Sequence, residues 1–312
     1  MLKVGTDCSG MDAPIQALKN LNVPFEYVFA SETDAWCIET ICANHAPREI
    51  YGDVRRRDMK STPYVDLYVC GFPCQPFSLA GARKGLDDAR GTIFAACADY
   101  IRTQRPRYFV LENVRNLLAI DGGRTWKHIL GCLESIPGYS VNWALMNCKD
   151  YGVPQHRRRI YIVGVRDATT PFRFPAKRPC KAFEDQRLLV DTSDTQPSRP
   201  SRQLSIAQSL DPLLERRGAC FVDTLQYRTE KRVPQRGFAY ATCLLTTSYV
   251  WCVPMKRWAN RKELLRMQGF PDSYHIVVPE RKFWHQVGNA MSVNVVECIL
   301  RTLLLPHPSY TT

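Results

Sequence analysis

A cysteine held between prolines, in Gly71-Phe72-Pro73-Cys74-Gln75-Pro76-Phe77-Ser78, is the first place where residue types suggest chemistry. Proline fixes its own φ and restricts the residue before it, so Cys74 has a stiff backbone with which to aim a thiolate. The run follows Val65-Asp66-Leu67-Tyr68-Val69, which reads as a buried strand. In an open parallel sheet, ligands bind at the carboxyl ends of strands, where this cysteine would stand. Taken singly, a cysteine is more often core than nucleophile.

Two further pieces carry ionisable groups to strand ends. Residues 106–114 read Pro-Arg-Tyr-Phe-Val-Leu-Glu-Asn-Val, an apolar strand that brings Glu112 to the same rim. A strand-end glutamate in an apolar pocket tends toward a raised pKa and can hold a proton at neutral pH. Gln155-His156-Arg157-Arg158-Arg159 then runs into the strand pattern Ile160-Tyr161-Ile162-Val163. Side-chain alternation would send Arg157 and Arg159 to one face and Arg158 to the other. A solvated loop carboxylate and a solvated arginine edge are the simpler readings of these pieces taken one at a time.

The elements that must position these residues follow from periodicity. Short apolar runs at 2–5, 25–30, 65–69, 108–111 and 160–163 read as strands, with helical spacing at 15–18 and 35–43 between them. The alternation predicts an α/β fold with a mainly parallel sheet covered on both faces. From Asp167 the texture changes to Pro, Ser, Thr and Arg with weak periodicity, which fits a smaller, loop-rich domain or a partly disordered insert. Helical patterning returns at 261–267 and at 290–305, where Val296, Ile299, Leu300, Leu303 and Leu304 share one face. The expected organisation is a large domain of residues 1–166 and 255–312, with residues 167–254 inserted between.

Composition narrows the partners. The chain has 312 residues, 45% hydrophobic and 23% charged, which argues against wholesale disorder. It contains no apolar run of about 18 residues, so no membrane span is expected. The N-terminal MLKVGTDCSG lacks a secretory signal pattern, so an intracellular location is expected. Lys plus Arg is 42 against 30 for Asp plus Glu, and 30 of the 42 are Arg. That net +12 makes nucleic acid the leading partner, although a basic surface can also serve solubility alone. Residues 167–254 hold 13 basic and 9 acidic side chains, so the excess is not confined there. The 13 cysteines form no C-x-x-C pair, so no structural metal is expected.

Taken together, GFPCQPFS, LENV and QHRRR resemble the cytosine-C5 DNA methyltransferase family. RKELLRMQGFP, from Arg261 to Pro271, resembles the family's ninth motif, and Gln286-Val287-Gly288-Asn289-Ala290 through Asn294-Val295 its tenth. The matches fall in the family's order. The resemblance implies a Rossmann-like, S-adenosylmethionine-dependent methyltransferase fold with a target recognition domain at 167–254. Cys74 would add to C6 of a flipped cytosine. Glu112 would hold N3 and the exocyclic amine, Arg159 would contact O2, and Arg157 would fix the pocket and backbone. Residues 78–91, with Gly81, Gly85 and Gly91, would form a lid in which Ser78, Arg83 and Lys84 contact DNA.

For the cofactor, the resemblance points to the first turn, Cys8, Ser9 and Gly10, followed by Glu32 on the ribose and Asp53 with Val54 at the adenine. Asn289, Ala290 and Met291 would close the methionine end. The family usually has Phe where Cys8 stands and a second Gly where Asp12 stands, so the aromatic contact would come from elsewhere, for instance Trp36. No G-x-G-x-x-G follows the first strand, which argues against a dehydrogenase.

Recognition would lie between the eighth and ninth motifs. Residues 241–247 resemble the lead-in to the ninth, and a small recognition domain implies a short target site. Arg228, Arg232 and Arg236, with Lys231 and Tyr227, are the candidate DNA contacts there. The implied partner is double-stranded DNA, with no membrane, and a restriction endonuclease acting on the same site would be the protein partner of a monomeric enzyme. Its place would be the cytoplasm of a bacterium or virus-infected cell, or the nucleus of a eukaryote. A tRNA methyltransferase of the same family and a catalytically silent DNA binder are the alternatives, the latter motivated by Cys8 and Asp12.

Overall fold

The structure, a computed structural model, describes residues 1–73, 92–180, 182–192, 201–227, 229–235 and 238–305. Cys74, Ser78, Arg83, Lys84, Arg228, Arg236 and the expected lid lie outside the described residues.

The chain divides into two compact units. The first comprises Met1–Met146, Arg158–Pro175 and the chain from Val296 onward. Its sheet is built from β1 (Leu2–Asp7), β2 (Phe25–Ser31), β3 (Glu49–Tyr51), β4 (Leu67–Cys70), β5 (Tyr108–Val114), β6 (Tyr139–Asn147) and β7 (Arg158–Arg166). The strand order is β3-β2-β1-β4-β5-β7-β6. The pairings from β3 through β5 are all parallel, and β7 joins β5 antiparallel. The fold is therefore the expected α/β methyltransferase type. The strand order reverses between β1 and β4, the crevice at which such sheets bind ligands. The turn after β1 and the segment 71–73 after β4 both open there.

Among the described residues, four α-helices connect these strands: α1 (Ala13–Asn20), α2 (Ala35–Asn44), α3 (Ile93–Gln104) and α4 (Arg124–Glu134). Phe94, Tyr100, Ile129 and Leu133 of α3 and α4 pack on Phe29, Phe109, Leu111 and Ile162 of the sheet. All four residues of β4 are buried, as a strand covered on both faces requires.

The second unit comprises Asn147–Arg157 and Ala176–Val295. It contains α5 (Ala182–Arg187), α6 (Ser201–Arg216), an antiparallel sheet of β8 (Phe221–Asp223), β9 (Val250–Cys252) and β10 (Arg257–Trp258), then α7 (Arg261–Gln268) and α8 (Glu280–Asn289). The sixteen-residue α6 stands in a stretch whose pattern reads as loop. Its Ala207, Leu210 and Leu214 pack on Val222, Trp251 and Trp258, and Trp251 Nε1 donates to Asp211 at 2.7 Å.

The division differs from the expected boundaries. Residues 147–157 and 255–295 cluster with the second unit, and the return to the first begins at Val296. Buried polar bonds account for this. Gln155 Nε2 donates to the Met267 carbonyl at 2.7 Å, and the Leu244 amide donates to Gln155 Oε1 at 3.3 Å. Arg257 and Glu263 form a buried ion pair at 2.9 Å, and Arg257 also donates to the Asp191 carbonyl at 2.5 Å. The last helix, α9 (Val293–Leu304), starts three residues later than its pattern suggests, because Ala290 is extended at φ −57°, ψ 145°. Among the described residues, no single helix is long and apolar enough to cross a membrane.

Candidate active site

Glu112 and Arg159 meet at the end of β5. In the antiparallel register Arg159 lies opposite Val114 and Glu112 opposite Tyr161, so the two side chains are diagonal neighbours on one face. Arg159 Nε stands 3.1 Å from Glu112 Oε1, with both side chains about nine-tenths buried. The glutamate thus has a cationic partner rather than the apolar pocket expected from its strand-end position. The next residue, Asn113, is 3% exposed and donates from Nδ2 to the Phe72 carbonyl at 2.8 Å. It ties the end of β5 to the segment that leads into Cys74. Sequence reasoning gave Asn113 no role, and its presence beside Glu112 in the LENV motif was the available signal.

Arg157 does not share the destination of Arg159. The strand begins at Arg158, and a tight turn in which the Arg157 amide donates to the Gln155 carbonyl precedes it, so strand alternation does not extend to 157. The Arg157 side chain is 1% exposed and donates to the carbonyls of Leu244 at 2.7 Å, Gly288 at 3.1 Å and Ala290 at 2.7 Å. Arg157 is therefore a backbone brace within the second unit. Arg158 is exposed.

The turn after β1 is held in an unusual shape. Cys8, Gly10 and Asp12 all have left-handed backbones, with φ 52°, 56° and 57°. Glycine takes this conformation freely, whereas Cys needs support from its surroundings. Support comes from Glu32, just past β2, whose carboxylate accepts the Gly10 amide at 2.9 Å and the amides of Thr33 and Asp34 at 2.7 and 3.0 Å. The Ser9 amide adds a bond to the Ser31 carbonyl at 3.2 Å. A hydrogen bond with Cys70 pulls the Cys8 thiol down, but burial and the charges of its neighbours leave it raised on balance.

The sequence matches the C-5 cytosine-specific DNA methylase family over residues 7–304. It is 34% identical over 292 residues to the Type II methyltransferase M.NgoBI of Neisseria gonorrhoeae, covering 90% of this chain and 87% of that protein. It is 32% identical over 289 residues to the Type II methyltransferase M.NlaX of Neisseria lactamica, covering 87% and 86%. The chain belongs to the C-5 cytosine-specific DNA methylase family. The fold agrees: the crystal structure of the S. pombe Dnmt2 methyltransferase superposes with a TM-score of 0.69 at 19% identity, covering 98% of each chain. The protein is a DNA cytosine-C5 methyltransferase that uses S-adenosylmethionine.

The residues of this methyltransferase fit that cofactor. Glu32 spends three acceptor sites on amides, and an ionised carboxylate has about four, so one remains for a ribose hydroxyl. Asp53 caps the 3₁₀ turn Val54–Arg56 and is bridged by Arg55 at 2.6 Å. Hydrogen bonds from the Arg55 side chain hold its carboxyl at about 2. Arg55 is half exposed. Trp36, near the start of α2, is half-buried. In the second unit, Asn289 ends α8, the Ala290 carbonyl is engaged by Arg157, and Met291 is buried.

In the methyltransferase's expected recognition segment, Asp223 is 1% exposed and organises two loops. Its carboxylate accepts the amides of Leu225 and Tyr249, the Ser248 hydroxyl and the Gln226 side chain, at 2.7–3.1 Å. Lys231 and Arg232 are exposed on the 3₁₀ turn Glu230–Arg232. Tyr227 packs edge-on against Phe238, with ring centroids 5.1 Å apart, and so serves the local core.

Proposed function

We propose that Cys74, Glu112 and Arg159 carry out the methylation of a cytosine flipped from double-stranded DNA. The observation that carries this reading is the strand-end arrangement. Glu112 is paired to Arg159, while Asn113 pins the carbonyl of Phe72 two residues before Cys74. C5 of cytosine is a poor nucleophile, and addition of the Cys74 thiolate to C6 turns the ring into an enamine that is nucleophilic at C5. Glu112 would hydrogen-bond N3 and the exocyclic amine and so stabilise the adduct, with Arg159 positioned for O2. S-adenosylmethionine supplies the electrophilic methyl group. Loss of the C5 proton to a base and departure of the Cys74 thiolate then restore the aromatic ring.

Unstacking the base costs about a few kcal/mol. Phosphate contacts would offset this, with Lys231 and Arg232 on the recognition side and Ser78, Arg83, Lys84, Arg228 and Arg236 as the remaining candidates. The Type II relatives support a role beside a restriction endonuclease of the same specificity, inside the cell that holds the DNA.

The test uses radiolabelled S-adenosylmethionine with duplex DNA and with tRNA, for wild type and Cys74→Ala, with bisulfite sequencing of labelled DNA. Label in DNA that disappears in the variant is the expected result, and the sequencing reads out the target. Undiminished labelling by Cys74→Ala would overturn the assignment of the nucleophile. Labelling confined to tRNA would overturn the duplex substrate.

A further inference from the structure

We propose that Asp12, Tyr27 and Thr6 form a hydrogen-bond relay that sets what Ser9 presents to the cofactor, making Asp12 and Tyr27 positioning residues for a cationic ligand. The inference rests on the assignment of the Cys8–Gly10 turn to the cofactor.

Asp12 occupies the position where the family usually has glycine, and its left-handed backbone is the one glycine would adopt. Its side chain is nonetheless fully inside the protein. Tyr27 Oη donates to Asp12 Oδ2. Tyr27 Oη lies 2.7 Å from Thr6 Oγ1, and Thr6 Oγ1 lies 2.7 Å from Ser9 Oγ. Ser9 is half-buried, so the chain runs from a buried acid to a residue partly open to solvent. The other carboxyl oxygen of Asp12 has no hydrogen-bond partner among the described residues.

Each hydroxyl owns one proton, which fixes the direction of the chain. When Asp12 is ionised, Tyr27 must donate to it, Thr6 donates to Tyr27, and Ser9 donates to Thr6. Ser9 Oγ then turns two lone pairs outward. When Asp12 carries a proton it can donate to Tyr27, and every link reverses. Thr6 then occupies one lone pair of Ser9, and the Ser9 proton is free for the carbonyls of Thr6 and Ser31, at 3.2 and 3.3 Å, or for the ligand. A ligand with an ammonium group is better served by the first state, which also places a negative charge behind the turn.

The surroundings put this change in a usable range. Burial raises Asp12 to about 7, although the hydrogen bonds of Tyr27 and Thr6 and the charge of Lys19 pull it down, and Glu32 adds to the rise. Lys19 of α1, whose Nζ donates to the Asn44 carbonyl at 2.6 Å, is the cation acting on it, and the same lysine acts on His45 after α2. Burial and the Lys19 charge push His45 down to about 3, so it stays neutral while Asp12 titrates. Burial lifts Tyr27 well above its ordinary value, so it keeps its proton.

The experiment is calorimetric binding of S-adenosylhomocysteine from about pH 5.5 to about pH 8.5 to the full chain as wild type, Asp12→Asn, Tyr27→Phe and Ser9→Ala. Asn tolerates the left-handed backbone, and the ligand's own ammonium titrates alike in every arm. The expected result is a wild-type affinity that rises with pH by roughly five- to tenfold relative to Asp12→Asn. Tyr27→Phe, which keeps the acid but cuts the relay, should lose most of that rise, and Ser9→Ala should weaken binding most at high pH. A wild-type profile parallel to that of Asp12→Asn overturns the relay. If Asp12→Asn fails to fold, a Tyr27→Phe profile identical to wild type overturns it instead. If Ser9→Ala binds as tightly as wild type at every pH, the assignment of the turn itself falls.

Discussion

Asp7 and Asp12 flank the same turn, and each is 1% exposed, yet the protein accommodates the two carboxylates in opposite ways. Asp7 has a cation. Arg57 grips it with two nitrogens at 2.7 Å each, and Tyr68 donates a third bond at 2.5 Å. The guanidinium also bonds Ser31 Oγ at 2.7 Å and lies over the rings of Phe29, Tyr51 and Tyr100 at 4.8–5.4 Å. Asp12 is served by hydroxyl groups, with no ion pair among the described residues. A buried carboxylate matched by a fork of donors becomes a fixed clamp. A buried carboxylate surrounded by hydroxyls keeps the choice of holding a proton. The first ties the end of β1 to the turn that carries Asp53, and the second leaves its neighbour Ser9 adjustable.

The largest effect should come from breaking the clamp. Arg57→Leu strands a buried charge, and such losses cost about 3–5 kcal/mol. Urea denaturation should show an unfolding free energy lowered by that much, and a loss below about 1 kcal/mol would mean that Asp7 finds another partner and the contrast is false. Asp12→Asn should act in the other direction. Folded Asp12 binds its proton more tightly than the unfolded chain does, so wild-type stability falls as pH rises from about 4 to about 7. The variant escapes that fall, and its advantage should widen across the interval to at most about 4 kcal/mol, then stay level. A constant difference at all pH values would remove the titration from the picture. Ser31→Ala trims one bond from Arg57 and should cost about 1 kcal/mol with no dependence on pH in the same interval. A pH-dependent cost there would show that the clamp and the titrating acid are coupled.

The parts of the fold that sequence reading recovers are those with continuous apolar runs. β1, β2, β4, β5 and β7 appear within a few residues of their patterns, and α7 is capped by Asn260, whose capping box with Glu263 gives a local signal. β3 has three residues and too little pattern to register, and β6 is half-exposed through most of its length. α6 keeps Ala207, Leu210 and Leu214 on one side, but Ser, Gln and Pro212 dilute the period. Within the site, Glu112 and Arg159 are legible because each ends or begins a strand. Arg57 is not, since it closes a run of three arginines that reads as solvated. The rings enclosing it come from positions 29, 51 and 100. The brace formed by Arg157 depends on carbonyls 87 to 133 residues away, which no local pattern encodes.

That brace sets a rule for building chimeras. Where Gly288 stands, a Cβ would come within 2.5 Å of the backbone at Leu245 and Thr246, and Arg157 reaches the carbonyls of Leu244, Gly288 and Ala290. Residues 244–246 and 288–290 are thus two halves of one joint, although more than forty positions separate them. A recognition segment transplanted from a relative with its seam at residue 245 would bring half of that joint and meet a foreign counterpart. A seam placed before the joint, leaving residues 244–246 with the recipient, keeps the fitted surfaces together; Ser248 and Tyr249 then also stay with the recipient, so the incoming segment must bring an acid at position 223 to meet them.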